Sequence, residues 1–315
     1  MNVRWTRRLP IVAVVVAGVV AGAAAGAVAA GSGDSPSAKQ APNTLAQRSA
    51  QRAAMMKAAK AADATSATNA HCGQTITASL TLNGDLGCTT ATGLTVAGNG
   101  IVVNLNGFSV NNFGLGGTGI VVAGNHDTVE KGTVNFWDVG VAITNPSSNL
   151  PPVGNTITAM FTEADKQVGF QDSGTTTTIS SSSAVFAGSY GLESEPNASG
   201  SIYKTNHALN NASIGIILFG SHATLTSNIA NGNGSSPDSN ALVGYGIYDV
   251  GDNDKLVTNT TNHNWGMGIN AASPTNSDGG GNKAVGNGWA TTEPGYTATN
   301  PFGENLEQCI GVVCS

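Results

Sequence analysis

The chain has 315 residues and a net charge of −6 at pH 7, with 42 glycines and only 10% charged residues. This composition is unusual for a compact α/β enzyme and favours a turn-rich, all-β protein. All five arginines lie at or before Arg52, so the part from Cys72 onward carries five lysines against seventeen acids, a net charge of −12. A surface this acidic excludes nucleic-acid binding.

The N-terminus has the pattern of an export signal. Three arginines within Met1–Arg8 precede an apolar run over residues 9–30 that ends in small residues, as in secretory signals. Ala27-Val28-Ala29 fits the cleavage rule, which predicts a signal peptide over 1–29 and a secreted or cell-envelope protein. The alternative is an uncleaved anchor, because the run is about the roughly 20 residues that span a bilayer. No stable membrane span remains if the signal is cleaved.

Residues 30–71 are predicted to be a flexible, partly helical basic linker. Its first part, 31–42, is rich in Gly, Ser, Ala and Pro, which favours a flexible tether. The alanine-rich part that follows, 43–62, is predicted to be helical, with Asn43 as a candidate cap. A loose tether and a helix lying against a partner or against one end of the domain are both open.

From Cys72 to Ser315 the chain repeats itself. A glycine followed by an apolar-x-apolar triplet or a close variant recurs every 21 to 31 residues, at Gly93, Gly119, Gly140, Gly169, Gly191, Gly215, Gly246 and Gly268. Short runs of period two between Asn/Gly corners indicate half-buried strands. A unit this short cannot bury its apolar face alone, so the repeats must stack. The pattern predicts a parallel β-solenoid whose corner Asn, Ser and Thr residues hydrogen-bond in rows along the axis.

Four segments of the domain match the pattern of a known family. They are Cys72-Gly73 to Cys88, Gly93-Leu-Thr-Val96, Val103-Asn-Leu-Asn-Gly-Phe-Ser-Val110 and the ending around Cys309 and Cys314. In these segments the domain resembles the secreted right-handed parallel β-helix proteins of the pectate-lyase-like superfamily. The resemblance implies a right-handed parallel β-helix, but the family includes lyases, hydrolases, epimerases and adhesins. Pectate lyases use an Arg or Lys residue as base, and this domain contains no arginine. The Gly-His-Gly pattern of galacturonan hydrolases is also missing.

The four cysteines form two close pairs, one at each end of the domain. Export implies an oxidising compartment, in which disulfides are stable. Four cysteines allow three connectivities, and we expect Cys72–Cys88 and Cys309–Cys314 because the two pairs are far apart in an elongated molecule. A metal site is the competing interpretation, but no His–Cys spacing supports it.

Glu193 and Glu195 are the candidate catalytic residues. They share one face if 191–195 is a strand, and paired carboxylates about 5 to 9 Å apart perform glycoside hydrolysis. Asp172 and Asp249 follow their own repeat glycines in neighbouring coils, so stacked acids on one wall are possible, but their different offset leaves open whether they share that face. The alternative is that both glutamates are solvated residues of an outer surface.

Asp249, Asp252 and Asp254 form the densest acidic cluster. Three carboxylates around a glycine turn offer the oxygen ligands that calcium prefers, so the cluster is a candidate calcium site. It lacks the EF-hand spacing, and Asp, Asn and Gly also form ordinary corners. No other cofactor is expected.

Tyr245, Tyr248 and Trp265 are the candidate ligand-binding residues, with Trp289 and Tyr296 following in the sequence. Aromatic rings beside Asn and Asp side chains on one wall of a solenoid suit neutral sugars. In the alternative interpretation, Trp265 and Trp289 close the C-terminal end of the core.

The sequence predicts an exported, monomeric β-helix that binds a polysaccharide, such as a cell-envelope glycan. No catalytic set is identifiable. One alternative is a carbohydrate-active enzyme, a polysaccharide lyase or glycoside hydrolase, that uses the two glutamates or the aspartate cluster. The other is a structural surface protein whose solenoid serves as a spacer.

Overall fold

The computed structural model describes residues 50, 53, 54, 57, 69–114, 116–148, 150–234, 244–288 and 309–314. The chain divides into two units, Met1–Gln40 and Ala41–Ser315. The first unit, which contains the predicted signal peptide, lies outside the described residues. The four described residues before position 69 are helical and exposed, and they fall within the predicted helix. No helix in the described ranges is long and apolar enough to cross a membrane.

Within these ranges the chain forms short strands joined by corners. In chain order the strands are β1 (Gln74–Ile76), β2 (Leu80–Thr81), β3 (Leu86–Cys88), β4 (Thr92–Val96), β5 (Val102–Asn104), β6 (Ser109–Asn112), β7 (Thr118–Val122), β8 (Thr128–Asn135), β9 (Val139–Ile143), β10 (Thr156–Glu163), β11 (Val168–Asp172), β12 (Thr178–Ser180), β13 (Ser183–Val185), β14 (Tyr190–Ser194), β15 (Ile202–Lys204), β16 (His207–Leu209), β17 (Ile214–Leu218), β18 (Thr224–Thr226), β19 (Ile229–Asn231), β20 (Ile247–Asp249), β21 (Lys255–Val257), β22 (Thr260–Asn262), β23 (Ile269–Ala271), β24 (Ser277–Asp278), β25 (Lys283–Val285) and β26 (Cys309–Ile310).

The strands stack in parallel into two sheets. The first sheet has ten strands in the order β1-β4-β7-β9-β11-β14-β17-β20-β23-β26, and the second has sixteen strands. The second sheet runs in two rows, one through β2, β5, β12, β15, β18, β21 and β24 and the other through β3, β6, β13, β16, β19, β22 and β25. The eight-residue strands β8 and β10 belong to both rows. The predicted all-β parallel solenoid is confirmed.

The core is a stack of apolar side chains, one from each of the eight strands between β1 and β26 in the first sheet. Equivalent residues pair in register from one coil to the next, and each is at most 2% exposed. They are Leu94, Ile120, Val141, Phe170, Leu192, Ile216, Ile247 and Ile269. Each coil therefore buries its apolar face only against its neighbours.

The glycine of the sequence repeat has a steric cause. A Cβ placed on Gly93 or on each of its successors up to Gly246 would lie 2.3 to 2.8 Å from the carbonyl oxygen of the equivalent glycine in the next coil. Any larger residue would force the coils apart. This inward-facing glycine column marks where consecutive coils approach most closely.

Buried asparagines close two of the corners. The two columns are Asn206, Asn228, Asn259 and Asn282, and Asn211, Asn233, Asn264 and Asn287. Asn228 is representative: its Oδ1 accepts the Asn206 N–H at 3.0 Å, and its own N–H and Nδ2 both donate to Asn259 Oδ1 at 3.0 Å. Its Nδ2 also donates to Tyr203 O at 2.8 Å. Each column therefore satisfies backbone groups that the corners bury, and the predicted hydrogen-bonded rows are confirmed.

Both predicted disulfides are present. Cys72 pairs with Cys88 in the first coil, and Cys309 pairs with Cys314 at the other end of the described domain. No cysteine is left free to bind a metal, so the competing metal-site interpretation of the cysteines is wrong.

Replacing Gly215 with alanine should destabilise the domain strongly. The new Cβ would lie 2.6 Å from both Gly246 O and Asn233 Nδ2 and 2.9 Å from Ala230 Cβ, all of which belong to packed neighbouring coils. We expect unfolding in urea to show a loss of about 3 kcal/mol, near the upper end for overpacking.

Gly100→Asn is the matched control for this variant. Gly100 has a positive φ of 76°, and no atom lies within 4 Å of the position that a Cβ would take. Asparagine tolerates that backbone conformation, so the control should cost less than about 0.5 kcal/mol. Equal losses in the two variants would contradict the steric role of the glycine column.

Candidate functional site

The repeat glycine of β14 lies on the inner side of the first sheet, and the candidate catalytic residues lie on the outer side. Tyr190, Leu192 and Glu193 pair at one constant offset with each neighbouring strand, and the pairing is interrupted only at the repeat glycine. A Cβ on Gly191 would point at buried Ala208, so this glycine and Leu192 both face the core. Tyr190, Glu193 and Glu195 consequently face outward and are half-buried.

The outer face of the first sheet carries two columns of side chains that include Glu193 and Tyr190. One column is Gln171, Glu193, Ile217, Tyr248 and Asn270, which pair in register. The other is Tyr190, Ile214, Tyr245 and Met267, aligned through backbone hydrogen bonds and strand pairing. Equivalent positions in adjacent coils are about 4.8 Å apart.

An apolar cluster separate from the core occupies part of this face. Ile214, Ile217, Tyr245 and Met267 form it, and Tyr190 and Tyr248 pack against it. The rings of Tyr245 and Tyr248 stack with centroids 4.9 Å apart and planes 22° apart. Tyr245 is 7% exposed, whereas Tyr190 and Tyr248 are half-buried, so Tyr190 and Tyr248 present most of the aromatic surface.

One amide holds the two glutamates together. Gln171 Nε2 donates to Glu193 Oε2 at 3.1 Å and to Glu195 Oε1 at 2.7 Å. These two carboxylate oxygens are therefore at most 5.8 Å apart, the sum of the two distances.

The electrostatics of the face follow from this geometry. Burial and then the charge of Glu195 raise the pKa of Glu193, and the hydrogen bond from Gln171 opposes the rise. The pKa of Tyr190 is also raised, by burial and then by the charge of Glu193. We call the surface formed by Gln171, Tyr190, Glu193, Glu195, Tyr245 and Tyr248 the acidic–aromatic face.

The structure brings together residues that the sequence pointed to separately. Glu193 and Glu195 share the outer surface with Tyr245 and Tyr248, while Asp172 is fully buried on the inner side. There its Oδ2 accepts hydrogen bonds from Tyr203 Oη at 2.7 Å and from Ser201 Oγ at 2.8 Å. Asp172 therefore serves the core and not the face.

Trp265 does not join the acidic–aromatic face. It is 5% exposed, and its Cβ fills the space beside Gly234 and Gly244, where a Cβ on either glycine would clash. This burial favours the alternative in which Trp265 packs the domain. Trp289 and Tyr296 lie outside the described residues.

The three aspartates of the candidate calcium site do not converge. Asp249 and Asp254 are both fully buried, whereas Asp252 is exposed and accepts a hydrogen bond from Ser273 Oγ at 2.6 Å. Across the described ranges, no group of three or more His, Cys, Asp or Glu side chains is placed to hold a metal ion. The residues present do not fit calcium.

Asp249 and Asp254 instead form a buried carboxyl pair. The carboxyl group of Asp249 accepts from the Gly251 N–H at 3.1 Å and from Asn276 Nδ2 at 2.8 Å. Asp254 Oδ1 accepts from the Ala223 N–H at 2.6 Å, and its Oδ2 faces no donor in the described chain. Burial, and then the hydrogen bond to Asp254, raise the pKa of Asp249 to about 8. A proton on Asp249 satisfies Asp254 Oδ2, so the pair shares one proton at neutral pH.

Gln171 and Tyr190 were missed from the sequence, although the repeat contains a signal for both. Gln171 follows Gly169 at the offset at which Glu193 follows Gly191 and Tyr248 follows Gly246. Tyr190 directly precedes Gly191, as Tyr245 precedes Gly246. Comparing offsets across all repeats would have placed them on this face.

Comparisons with known proteins point to the solved structures of two lyases. No protein-family model and no curated protein matches the chain. An alginate lyase from Paenibacillus sp. str. FPU-7 is 12% identical, with a TM-score of 0.42 over 70% of this chain and 91% of that one. Pectate lyase Pel9A is 16% identical, with a TM-score of 0.32 over 72% of this chain and 62% of that one. At these identities and TM-scores the two structures carry no argument about this chain. The fold rests on the chain's own strand pairing, and the candidate site rests on the chain's own residues.

Replacing Asp254 with asparagine should stabilise the protein increasingly as pH rises. The pKa of Asp249 lies above its ordinary 3.8 in the folded state, so the folded pair keeps a proton that the unfolded chain releases. The contribution of this pair to the free energy of unfolding of the wild type is greatest near pH 4. It falls towards pH 8 by on the order of 1 kcal/mol per pH unit. Asn276, one coil away in the same corner position, shows that asparagine fits there.

Urea unfolding at pH 5, 7 and 8 measures this difference. Asp254→Asn should be close to wild type at pH 5 and clearly more stable at pH 8. Glu130→Gln, a change to an acid on β8, five strands away from β21 along the second sheet, is the control and should leave the slope of stability against pH unchanged. Parallel curves for wild type and Asp254→Asn would argue against the shared proton.

Proposed function

We propose that this protein is exported and binds a polysaccharide on the acidic–aromatic face. The observation that carries the proposal is the placement of two half-buried tyrosines, Tyr190 and Tyr248, on the same outer wall as Glu193, Glu195 and Gln171. Tyrosine rings pack against the apolar faces of sugars, and carboxylate and amide groups accept or donate hydrogen bonds to sugar hydroxyls. The face thus offers both kinds of contact that a pyranose chain needs.

The β-helix suits an extended ligand because its binding positions repeat along the axis. Adjacent coils place equivalent side chains about 4.8 Å apart, so a polymer lying along the axis meets Tyr190 and the half-buried members of the first column, Gln171, Glu193, Tyr248 and Asn270. The side chains stand on paired strands, which limits the entropy lost on binding. Multiple weak contacts along one chain then add up to useful avidity.

The compartment is part of the same proposal. Two disulfides stabilise the domain, and such bonds persist in oxidising environments. Together with the export pattern of the sequence, they support a secreted or cell-envelope protein that meets its glycan outside the cytoplasm. We propose that it acts as a monomer.

Replacing Tyr248 with alanine should weaken binding to neutral polysaccharides. The substitution removes a half-buried ring that stacks on Tyr245, and one aromatic contact contributes about 1 kcal/mol. We expect a roughly 5-fold loss of affinity in gels that contain a panel of neutral and amino-sugar glycans. Ile202→Ala is the control because Ile202 is 42% exposed on the second sheet. Loss of affinity in both variants, or retardation by no glycan, would favour the spacer alternative.

A retaining glycoside hydrolase is the second candidate function, favoured by the shared amide of Gln171. Retaining enzymes hold their two carboxyl groups about 5 to 5.5 Å apart, whereas inverting enzymes need about 6.5 to 9.5 Å. The limit of 5.8 Å between one carboxylate oxygen of Glu193 and one of Glu195 is compatible with the retaining spacing. Glu193, with its raised pKa, suits the general acid, which leaves Glu195 as the nucleophile. The lyase alternative has no comparable support, because no arginine follows Arg52.

Glu193→Gln and Glu195→Gln test this second candidate directly. If wild-type protein releases reducing ends from a glycan, each substitution should lower the rate at least about 100-fold, the smaller end of what an acid–base group contributes. Glu163→Gln, a half-buried glutamate of the second sheet, should keep the wild-type rate. Binding without any new reducing ends, in wild type, would remove the hydrolase and leave the binding protein.

A further inference from the structure

The two glutamates of the acidic–aromatic face have no positively charged partner among the described residues. The part from Cys72 onward has five lysines and no arginine, and Lys131, Lys204, Lys255 and Lys283 all belong to strands of the second sheet. The fifth, Lys166, pairs with Asp138 at 3.1 Å. The donor described between Glu193 and Glu195 is the neutral amide of Gln171.

This arrangement holds two like charges close together on a half-buried surface. Burial and the neighbouring Glu195 already raise the pKa of Glu193, which means that the negative form is disfavoured there. A positive group placed at the pair offsets the repulsion between the two carboxylates and stabilises their charged forms. The face is therefore complementary to a cation.

We infer that the polysaccharide bound here carries positive charge, as a polymer of amino sugars with free, protonated amines. This inference depends on the proposed glycan binding and specifies its substrate class. An ammonium group donates three hydrogen bonds, and the carboxylates of Glu193 and Glu195 accept them. Tyr190 lies beside Glu193, and its ring attracts a cation as well.

Two other charged ligands fit the face less well. Calcium takes six to eight oxygen ligands, and no three acidic or histidine side chains converge among the described residues. A uronic acid polymer meets a domain whose net charge from Cys72 onward is −12, five lysines minus seventeen acids, so long-range repulsion opposes its approach. A polymer with a protonated amine on each sugar is attracted by the net charge of the domain at long range and by the two glutamates at short range.

The remaining sugars of such a polymer have contacts along the same columns. Ile217 and Tyr248 follow Glu193 in register, one coil and two coils away. Ile217 is fully buried, so the next ring that a sugar can contact along the column is the half-buried Tyr248. Charge fixes the register of the chain, and the tyrosines add contact area.

Titration calorimetry with three hexasaccharides at pH 6 tests the inference. The probes are the hexamer of glucosamine, the hexamer of N-acetylglucosamine, which lacks the charge, and cellohexaose. We expect the glucosamine hexamer to bind at least about 10-fold more tightly than either neutral hexamer, with an affinity that falls as salt rises. In the Glu193→Gln/Glu195→Gln variant this preference should disappear. Glu130→Gln, which removes an acid paired with Lys131 on the second sheet, should keep it.

The outcomes separate this inference from the proposed function. Equal binding of charged and neutral hexamers, or tighter binding of the neutral ones, would overturn the inference and leave glycan binding in place. A preference that survives in the double variant would also overturn it, because residues other than Glu193 and Glu195 would then bind the amines. Binding of no hexamer and of no polysaccharide in the gel panel would overturn the proposed function itself.

Discussion

The close approach of successive coils along the inward-facing glycine column determines the rest of the structure. Because a Cβ on Gly191 would point at Ala208 and meet the carbonyl oxygen of Gly215, each coil can pair with the next in one register only. That register turns Glu193 outward and Leu192 inward. A shift by one residue would exchange the two faces, so the acidic–aromatic face follows from the same contact that closes the core.

The corners solve the second problem of a solenoid, which is the burial of polar backbone groups. Asparagine suits this task because one side chain both donates and accepts, so a column of them satisfies two coils at each step. Asp254 stands in a corner of the same kind without the donor that asparagine has, and its Oδ2 needs the proton of Asp249. The two buried carboxyl groups of Asp249 and Asp254 are therefore joined by one shared proton.

The sequence predicts the fold more completely than it predicts the candidate site. The glycine repeat and the period-two runs indicate stacked strands, but they leave open whether Asp172 shares the face of Glu193. Sequence proximity misled in the aspartate cluster, because a strand end and a corner bury Asp249 and Asp254 but expose Asp252. Trp265 looked like a binding residue because aromatic character alone does not distinguish the inner side of a corner from the outer. The left-handed backbone of the β-branched corner residue Thr258 opposes its local preference and follows only from the stacked fold.

The in-register columns have a consequence for how such a protein changes over evolutionary time. Each coil contacts only the coils on either side of it, and every coil brings one position to each column. Duplication or loss of a whole coil therefore lengthens or shortens the outer wall by one step without disturbing the pairing elsewhere. Genes for this architecture can grow by unequal recombination in units of about twenty-two residues, and the span of ligand that the wall accommodates is inherited in the same increments.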